Sequence, residues 1–370
     1  MGAPARPAWV AGSGRVLELK QYPGIIGQGV NLAKLYYCLS QLIVRVLPVA
    51  AGRNEVLVLK GANIAAYGFG EGHPFGPDRH DVFQQELVER GVARQVTFAC
   101  ASEATHAELL AFHTPAHIAR VETLCLAGEG WLDGGDTPAR RGLDAAAAAV
   151  VGASIFAMEH IMAGHACRAF VPIAGLHHAA RDRAAGFCIY NDCGVVLELL
   201  RSRHGLQRVV YVDVDAHHGD GVFYAFEDDP GIGFADIHED GRFLYPGTGA
   251  AAETGRGPAA GTKLNIPLPP GAGDDEFRAA WERVESYVTD FRPEFILFQC
   301  GADSLAGDPL THLRLSPAAH GYAAGRLAAL ADRWCDGRLL ALGGGGYNRR
   351  NVALGWTAVV EALVAAGRAA

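Results

Sequence analysis

Residues 208–221 read RVVYVDVDAHHGDG, a short apolar segment followed at once by a dense group of polar side chains. The apolar part, 208–212, is typical of a strand buried on both faces of a sheet. The polar part begins where this strand ends, and ligands of open α/β sheets bind beyond the carboxyl ends of the strands. Asp213 and Asp215 lie two positions apart, so a strand directs both side chains to the same side.

Five residues of segment 213–221 can bind a divalent cation, and none of them is a cysteine. Oxygen and imidazole ligands suit zinc in a catalytic site, or Fe(II) or Mn(II), better than a closed structural zinc site. Each Asp or His taken singly is equally consistent with an acidic turn that closes a strand. Their density at one strand end favours a metal site, and we interpret the segment as half of one.

Three further apolar segments lead into polar or aromatic groups of the same kind. Segment 169–173 precedes His177 and His178, segment 295–298 precedes Asp303, and segment 339–342 precedes four glycines and Tyr347. Helical patterns separate these segments, and strands that alternate with helices predict a parallel sheet. We therefore predict a single-domain, three-layer α/β/α fold with a mostly parallel central sheet and an active site at the carboxyl ends of its strands. Pro172 disfavours a central position for the first of these strands.

Composition narrows the class of protein. The 370 residues are 50% hydrophobic and 19% charged, which is ordinary for a soluble chain. A net charge of −8 argues against a nucleic-acid-binding protein, because such proteins neutralise phosphates with basic residues. The eight cysteines form no CxxC pair, which favours a reduced, cytoplasmic protein over a disulfide framework.

The chain divides into an N-terminal extension of uncertain structure, 1–53, and a catalytic domain, 54–370. The apolar run at 32–46 contains Lys34, Gln41 and Arg45, so it is a poor membrane span. We expect no membrane partner and no nucleic-acid partner, and the sequence does not indicate the oligomeric state.

The polar groups at the predicted strand ends are sufficient for metal-assisted hydrolysis. Asp215, His217 and Asp303 supply three ligands, and a catalytic zinc keeps a fourth position open for water. Two further histidines can act as general base and acid, with Asp213 and Asp220 available to orient them. Tyr347 can direct its hydroxyl at a developing oxyanion. The glycines before it lack the GxxxxGK[ST] pattern of phosphate-binding loops, so hydrolysis of an amide or ester fits better.

Six motifs resemble the motif series of the histone deacetylase family, in that family's order and spacing. They are GLHHA (175–179), GFCIYND (186–192), DVDAHHGDG (213–221), YPGTG (245–249), GADSLAGDPL (301–310) and GGGGY (343–347). The resemblance extends to YGFGEGHPFGPDRH (67–80) and the helix that begins at Thr114-Pro115, and it covers roughly residues 54–365. The GLHHA and GGGGY forms resemble class I members and bacterial members of the acetoin-utilisation type. The fold it implies is the arginase/deacetylase-like fold.

The resemblance also implies roles for individual residues. Asp215, His217 and Asp303 would bind zinc, with Fe(II) as an alternative metal. His177 would pair with Asp213 and His178 with Asp220; His178 would be the general base and acid, and His177 mainly electrostatic. Tyr347 would polarise the scissile carbonyl.

The substrate channel is implied in the same way. Phe187, Tyr245 and Leu310 would be its walls, and Asp136 would hold the substrate backbone at the rim. Core packing of Phe187 and Tyr245, and a solvated turn at Asp136, remain open alternatives. Asp236 stands where many family members carry Ser beside a structural potassium site, so the resemblance implies potassium but leaves its coordination open.

These expectations define one leading function and three alternatives. The leading one is a zinc-dependent amidohydrolase that removes acetyl or short acyl groups from amines, with acyl-lysine favoured as substrate. An acetylpolyamine or other small-amide deacetylase is the first alternative. A non-catalytic binding module and a ureohydrolase with two Mn(II) ions are the others.

Overall fold

The computed structural model describes residues 55–70 and 72–369, so the predicted extension 1–53 lies outside the described residues. Eight strands form one sheet in which every neighbouring pair is parallel. The strands are β1 (Val56–Leu59), β2 (Val96–Ala99), β3 (Arg168–Val171), β4 (Val209–Asp213), β5 (Ile232–Glu239), β6 (Lys263–Leu268), β7 (Phe295–Gln299) and β8 (Leu339–Leu342). Their order in the sheet is β2-β1-β3-β8-β7-β4-β5-β6.

Helices connect the strands and cover the sheet. They are α1 (Ala62–Ala65), α2 (Arg79–Glu89), α3 (His106–Leu109), α4 (Pro115–Ala127), α5 (Leu143–Met162), α6 (Asp192–Ser202), α7 (Asp220–Ala225), α8 (Asp274–Phe291), α9 (Pro317–Trp334) and α10 (Arg349–Ala369). In one group, α10 packs on α2 and α9, and α9 packs on α8. In the other, α5 packs on α1, α4 and α6, and α6 packs on α7. The parallel sheet with flanking helices confirms the predicted α/β fold.

Helix α5 is the most apolar helix of the described residues. Its composition and its length of 20 residues would suit a membrane span, but 67% of its most apolar window is buried inside the protein. It packs on β3 and on helix α6. An apolar helix enclosed by protein in this way is a core element.

Three strands and some element boundaries differ from the sequence prediction. Strand β5 was not predicted because it carries Asp236, His238 and Glu239, yet all eight of its residues are buried. Strands β2 and β6 are the two edges of the sheet, where a continuous apolar run is not required. Pro172 directly follows β3, so β3 is a central strand after all.

The topology explains how distant residues meet. Strands β3, β8, β7 and β4 are consecutive neighbours in the sheet. They are the four strands predicted to end in polar groups. Because they are parallel, their carboxyl ends lie at one edge, where the residues that follow them share a crevice.

Candidate active site

Asp215, His217 and Asp303 form the one cluster of the described residues with the geometry of a metal site. Their ligand atoms all lie within 4.8 Å of one another, and all three residues are buried. Nδ1 of His217 lies 3.1 Å from Oδ1 of Asp215 and 3.2 Å from Oδ2 of Asp303. The cluster combines residues from the ends of β4 and β7, as predicted from the order of the motifs.

The second oxygen of each carboxylate is held by donors from the protein. Oδ2 of Asp215 accepts hydrogen bonds from Nε2 of Gln299 (2.8 Å) and from the backbone N–H of Gly345 (2.9 Å). Oδ1 of Asp303 accepts from the N–H of Ala216 at 2.9 Å. These bonds orient the carboxylates so that the oxygens facing His217 converge on one point, and outer partners of this kind are typical of metal sites. The donor set therefore fits a divalent cation.

The charges of the cluster point to the same fit. Burial and the neighbouring Asp215 carboxylate raise the pKa of Asp303 to about 7. Burial opposes protonation of His217, but hydrogen bonds to Asp215 and Asp303 outweigh it and raise its pKa to about 10. The proton on His217 thus lies between two buried carboxylates, at the position where a metal ion would supply positive charge.

Two His–Asp pairs stand beside the cluster. Nδ1 of His177 lies 2.8 Å from Oδ2 of Asp213, and Nδ1 of His178 lies 2.7 Å from Oδ1 of Asp220. The Nε2 atoms of the two histidines are 3.2 Å apart. The Nδ1 proton of each ring is bound by its carboxylate, so the Nε2 atom of each ring faces the site.

The two histidines differ in protonation: His177 is charged and His178 is neutral. Burial disfavours a charged His177, but the Asp213 and Asp215 carboxylates outweigh it and raise the pKa of His177 to about 9. Burial and the positive charge of His177 lower the pKa of His178 to about 4. Near neutral pH, His178 is therefore the neutral imidazole, whose Nε2 can accept a proton, and His177 is an imidazolium.

Tyr347 lies on the opposite side of the same small cavity. The cavity is lined by His177, His178, Asp215, His217, Cys188 and Tyr347, together with Phe75, Leu176 and four glycines. Burial and the carboxylates of Asp303 and Asp215 raise the pKa of Tyr347 well above its usual value. Its hydroxyl therefore keeps its proton and remains a hydrogen-bond donor.

Two residues that support Tyr347 received no role from the sequence. Asp308 accepts backbone N–H groups of Tyr347 (2.8 Å) and Leu310 (2.9 Å), and so joins two loops. Arg79 is fully buried and donates to the carbonyls of Gly344 (2.6 Å) and Gly346 (2.8 Å). Asp308 and Arg79 both lie within segments already quoted, 301–310 and 67–80, but no sequence signal marks Arg79 as buried.

The proposed channel walls lie on two sides of the cavity. The Phe187 ring contacts Tyr347 edge-on, with centroids 5.7 Å apart, while the Tyr245 ring contacts His178 at 5.1 Å. Tyr245 is 47% exposed and so is not a core residue. Leu310 is 37% exposed and is not part of the cavity lining. Phe187 and Tyr245 thus contact two residues that line the cavity, Tyr347 and His178, without lining it themselves. Leu310 is connected to Tyr347 only through Asp308.

Asp136 lies in an open cleft of about 420 Å³ beside this mouth, with Asp133, Arg183 and Tyr245 also in its lining. Burial and the adjacent Asp133 raise the pKa of Asp136 to about 6. The cleft carries two acidic side chains and one basic side chain. Arg140, from the same loop as Asp136, is not part of this lining and donates to the carbonyls of Gly68 and Ala66.

The position that the resemblance associates with potassium is filled by protein partners. Asp236 is fully buried; Oδ1 pairs with Nδ1 of His238 at 2.7 Å, and Oδ2 accepts the N–H of Gly219 at 2.9 Å. Burial opposes a charged His238, but Asp236 outweighs it and raises the pKa of His238. Both carboxylate oxygens of Asp236 thus have hydrogen-bond partners within the protein.

The comparisons with known proteins agree with this geometry. The family model described as the histone deacetylase domain matches residues 73–363. The chain belongs to the histone deacetylase family. Membership confirms the resemblance drawn from the six motifs, and it places the protein among deacetylase-type hydrolases.

Relatives of this chain include bacterial and eukaryotic proteins. The acetoin utilization protein AcuC of Bacillus subtilis is 37% identical over 293 residues, which are 76% of this chain and 75% of that protein. Histone deacetylase 8 of Xenopus tropicalis is 33% identical over 296 residues, 78% of each chain. The crystal structure of the HDA15 HD domain has a TM-score of 0.78 and 28% identity, and covers 87% of this chain and 92% of that one.

Proposed function

We propose that the protein is a zinc-dependent amidohydrolase that removes acetyl or short acyl groups from amines. The observation that carries this proposal is the convergence of three groups on one cavity: the cluster of Asp215, His217 and Asp303, the paired His177 and His178, and the Tyr347 hydroxyl. Each supplies one requirement of amide hydrolysis, namely an activated water, proton transfer and stabilisation of the oxyanion.

The metal would be held by Asp215, His217 and Asp303. When bound, zinc supplies a Lewis acid that makes a water nucleophilic near neutral pH and polarises a carbonyl. Two carboxylates and one imidazole suit zinc, and Fe(II) accepts the same ligands.

His178 would carry out the proton transfer. With Nδ1 bonded to Asp220, its Nε2 accepts a proton from the attacking water and later returns it to the leaving amine. His177, held charged by Asp213, supplies positive charge beside the negative charge that develops on the substrate. The Tyr347 hydroxyl donates a hydrogen bond to the carbonyl oxygen as that oxygen becomes negative.

An acyl-lysine is the substrate that we favour. Phe187 and Tyr245 would flank a straight methylene chain that ends in an amide. The cleft beside them is open, which leaves room for a peptide backbone, and Asp136 at its edge would accept backbone N–H groups. Histone deacetylase 8 and the yeast histone deacetylase RPD3 are named for the deacetylation of histones, which are proteins.

One observation favours acetylpolyamines as a second candidate. The cleft holds Asp133 and Asp136 against Arg183 alone, so its charge would attract a cationic amine. Selectivity for a flexible polycation would also gain from a constricted entrance, and the cleft is open. Acyl-lysine therefore remains the first choice.

The other two alternatives receive less support. A two-metal ureohydrolase needs bridging carboxylates, whereas the described residues contain a single metal-type cluster. A non-catalytic module would have no use for a neutral His178 beside a positively charged His177. The seven cysteines of the described residues carry free thiols, which supports our expectation of a cytoplasmic protein. The catalytic domain that we propose spans 54–370.

A panel of fluorogenic acyl-lysines and acetylated polyamines, assayed with and without a chelator, tests the activity and the metal together. We expect hydrolysis that the chelator abolishes and zinc restores, with one metal ion per chain. Two ions per chain, or turnover that resists complete metal removal, would contradict the proposal.

The choice of substrate needs its own comparison. We expect kcat/KM for an acetyl-lysine peptide to exceed the values for acetylputrescine and acetylspermidine. A tenfold preference for either polyamine, equivalent to about 1.4 kcal/mol, would overturn the acyl-lysine choice and leave the amidohydrolase standing.

A further inference from the structure

The wall residue Phe187 sits in a strained turn. Ala185 and Cys188 exchange two backbone hydrogen bonds of 3.0 and 2.8 Å, and the residues between them, Gly186 and Phe187, have φ of 53° and 65°. Positive φ at both central positions is the geometry of a type I′ turn. Glycine adopts it freely, but a bulky aromatic residue does not. Phe187 therefore requires restraint from outside the turn.

That restraint comes from two buried side chains. The Tyr67 hydroxyl donates to the carbonyl of Phe187 at 2.6 Å and accepts the N–H of Ile189 at 3.1 Å. Oγ1 of Thr137 accepts the N–H of Phe187 at 3.2 Å. Tyr67 and Thr137 are both completely buried, so neither bond competes with water. Both polar groups of the Phe187 backbone are thus held from opposite sides.

The turn is in direct contact with the site. A Cβ added to Gly186 would lie 2.6 Å from Cδ2 of His178, so the turn packs on that imidazole. The Phe187 ring lies against His73, with centroids 4.6 Å apart, and against Tyr347 at 5.7 Å. A change in the φ of Phe187 would swing this ring away from Tyr347 and open one wall of the cavity.

We propose that Tyr67 is a positioning residue for the substrate channel: its hydroxyl keeps Phe187 in the left-handed conformation and so holds the aromatic wall in place. The proposal rests on the proposed function, because the wall matters to turnover only if an acyl chain passes it. Tyr67 lies 120 residues before Phe187 in the sequence and touches none of the proposed metal ligands or proton-transfer groups through hydrogen bonds.

Tyr67→Phe removes the hydroxyl and almost no volume. A displaced wall weakens the ground state and the transition state equally, so we expect KM to rise roughly tenfold while kcat and zinc content stay near wild type. Amide hydrogen exchange across 185–191 should become faster by a similar factor. This second measurement does not depend on turnover.

Tyr287→Phe is the matched control. The Tyr287 hydroxyl also bridges a carbonyl and an N–H, those of Thr262 (2.5 Å) and Phe234 (2.9 Å), near the amino ends of β5 and β6. We expect it to lower thermal stability comparably without changing KM or exchange across 185–191. If it raised KM as Tyr67→Phe does, the effect would reflect stability alone and the proposal would fall.

A double-mutant cycle closes the test. In a Phe187→Ala background, Tyr67→Phe should add little to KM, because the wall is already absent. An equal, additive rise in KM would overturn the proposal, as would unchanged KM and exchange in Tyr67→Phe itself.

Thr137→Val, which removes the acceptor for the Phe187 N–H, should raise KM and the exchange rate in the same direction. If Tyr67→Phe does not fold, this variant tests whether the restraint on Phe187 holds the channel wall. If the wild type hydrolysed no acyl amine, the proposed function would fail, and exchange would still decide whether Tyr67 holds the turn.

Discussion

His177 and His178 are adjacent in the sequence and differ only in what surrounds them. Asp213 is fully buried and Asp215 is a second carboxylate nearby, so His177 has two anionic neighbours. His178 has Asp220, whose side chain is partly exposed, and faces the positive charge of His177. A neutral imidazole beside a charged one is the arrangement that a proton acceptor requires.

The His pair supports a prediction of unequal losses. His178→Ala removes the proton acceptor, and such groups typically contribute about 10²–10⁴-fold to turnover. We expect His177→Ala to lose less, because it removes charge but no proton-transfer group. Steady-state kcat with zinc content measured in parallel checks this. Equal losses, or a larger loss at His177, would reverse the two assignments.

Tyr347 supports a second prediction at this scale. Tyr347→Phe removes one hydroxyl, and loss of a donor to an oxyanion typically costs about 10²–10³-fold in kcat. Zinc content and thermal stability should remain near wild type, because no other hydrogen bond of this hydroxyl is seen among the described residues. Turnover of an unactivated acetyl-lysine amide measures the loss, and retention of most activity would remove Tyr347 from the mechanism.

At the scale of elements, the loop after β8 determines where Tyr347 stands. Four glycines let this backbone run close to the carboxylates of the metal cluster: a Cβ at Gly345 would lie 2.0 Å from Oδ2 of Asp303. Such a chain is flexible by itself, and Arg79 and Asp308 fix it by binding its carbonyl and N–H groups. The position of the catalytic hydroxyl therefore depends on residues that do not reach the substrate.

Asp308→Asn tests this dependence with little change in volume. One carboxylate oxygen accepts from Tyr347 and Asn348 and the other from Leu310, so an amide nitrogen would face an N–H donor in either orientation. We expect kcat to fall at least about tenfold, the equivalent of one buried donor left unpaired. KM and zinc content should change less.

Asp274→Asn is a suitable control for that variant. Asp274 also holds a loop, through the N–H and hydroxyl of Ser316, and it begins helix α8 away from the cavity. It should reduce stability without reducing kcat. Comparable losses of kcat in both variants would mean that Asp308 acts on stability alone.

At the scale of the whole molecule, folding concentrates negative charge at the carboxyl ends of the neighbouring strands β4 and β7. Asp213, Asp215 and Asp303 are all at most 1% exposed. Buried carboxylates are costly without a compensating charge. In the protein without metal, protons on His177 and His217 supply that charge, and a divalent cation would replace the proton on His217.

Metal binding should therefore stabilise the protein in a pH-dependent way. His217 (pKa about 10) and Asp303 (pKa about 7) hold protons that a metal ion must displace. Their folded pKa values are raised, so protons compete more strongly as pH falls. We expect zinc affinity to weaken by at least about tenfold per pH unit from pH 8 to 6.

Thermal shift measures this competition. The increase in Tm on adding zinc should be larger at pH 8 than at pH 6, and Asp303→Ala should abolish it at both. A shift of equal size at the two pH values would show that no proton is displaced, and would contradict the charge assignments of the cluster.

The sequence predicted the apolar strands and the chemical groups that follow them. It did not predict the strands that contain polar residues, or the buried residues that hold the loops in place. Apolar runs marked β3, β4, β7 and β8, because central parallel strands are buried on both faces. The runs of β2, β5 and β6 are mixed with polar residues, and only the folded sheet shows that Asp236 and Glu239 are buried with their partners. A buried Arg79 has no local signal at all.

The sequence by itself therefore determined the fold class, the family and the set of chemical groups that follow the strands, because strand periodicity and motif spacing are local properties. Only the tertiary structure decided which groups meet. Strand order made β3, β8, β7 and β4 neighbours, burial and charge separated the pKa values of His177 and His178, and distant side chains held the strained turn at Phe187. Desolvation, charge and hydrogen bonding all depend on distances between residues far apart in the chain, and those distances exist only in the folded protein.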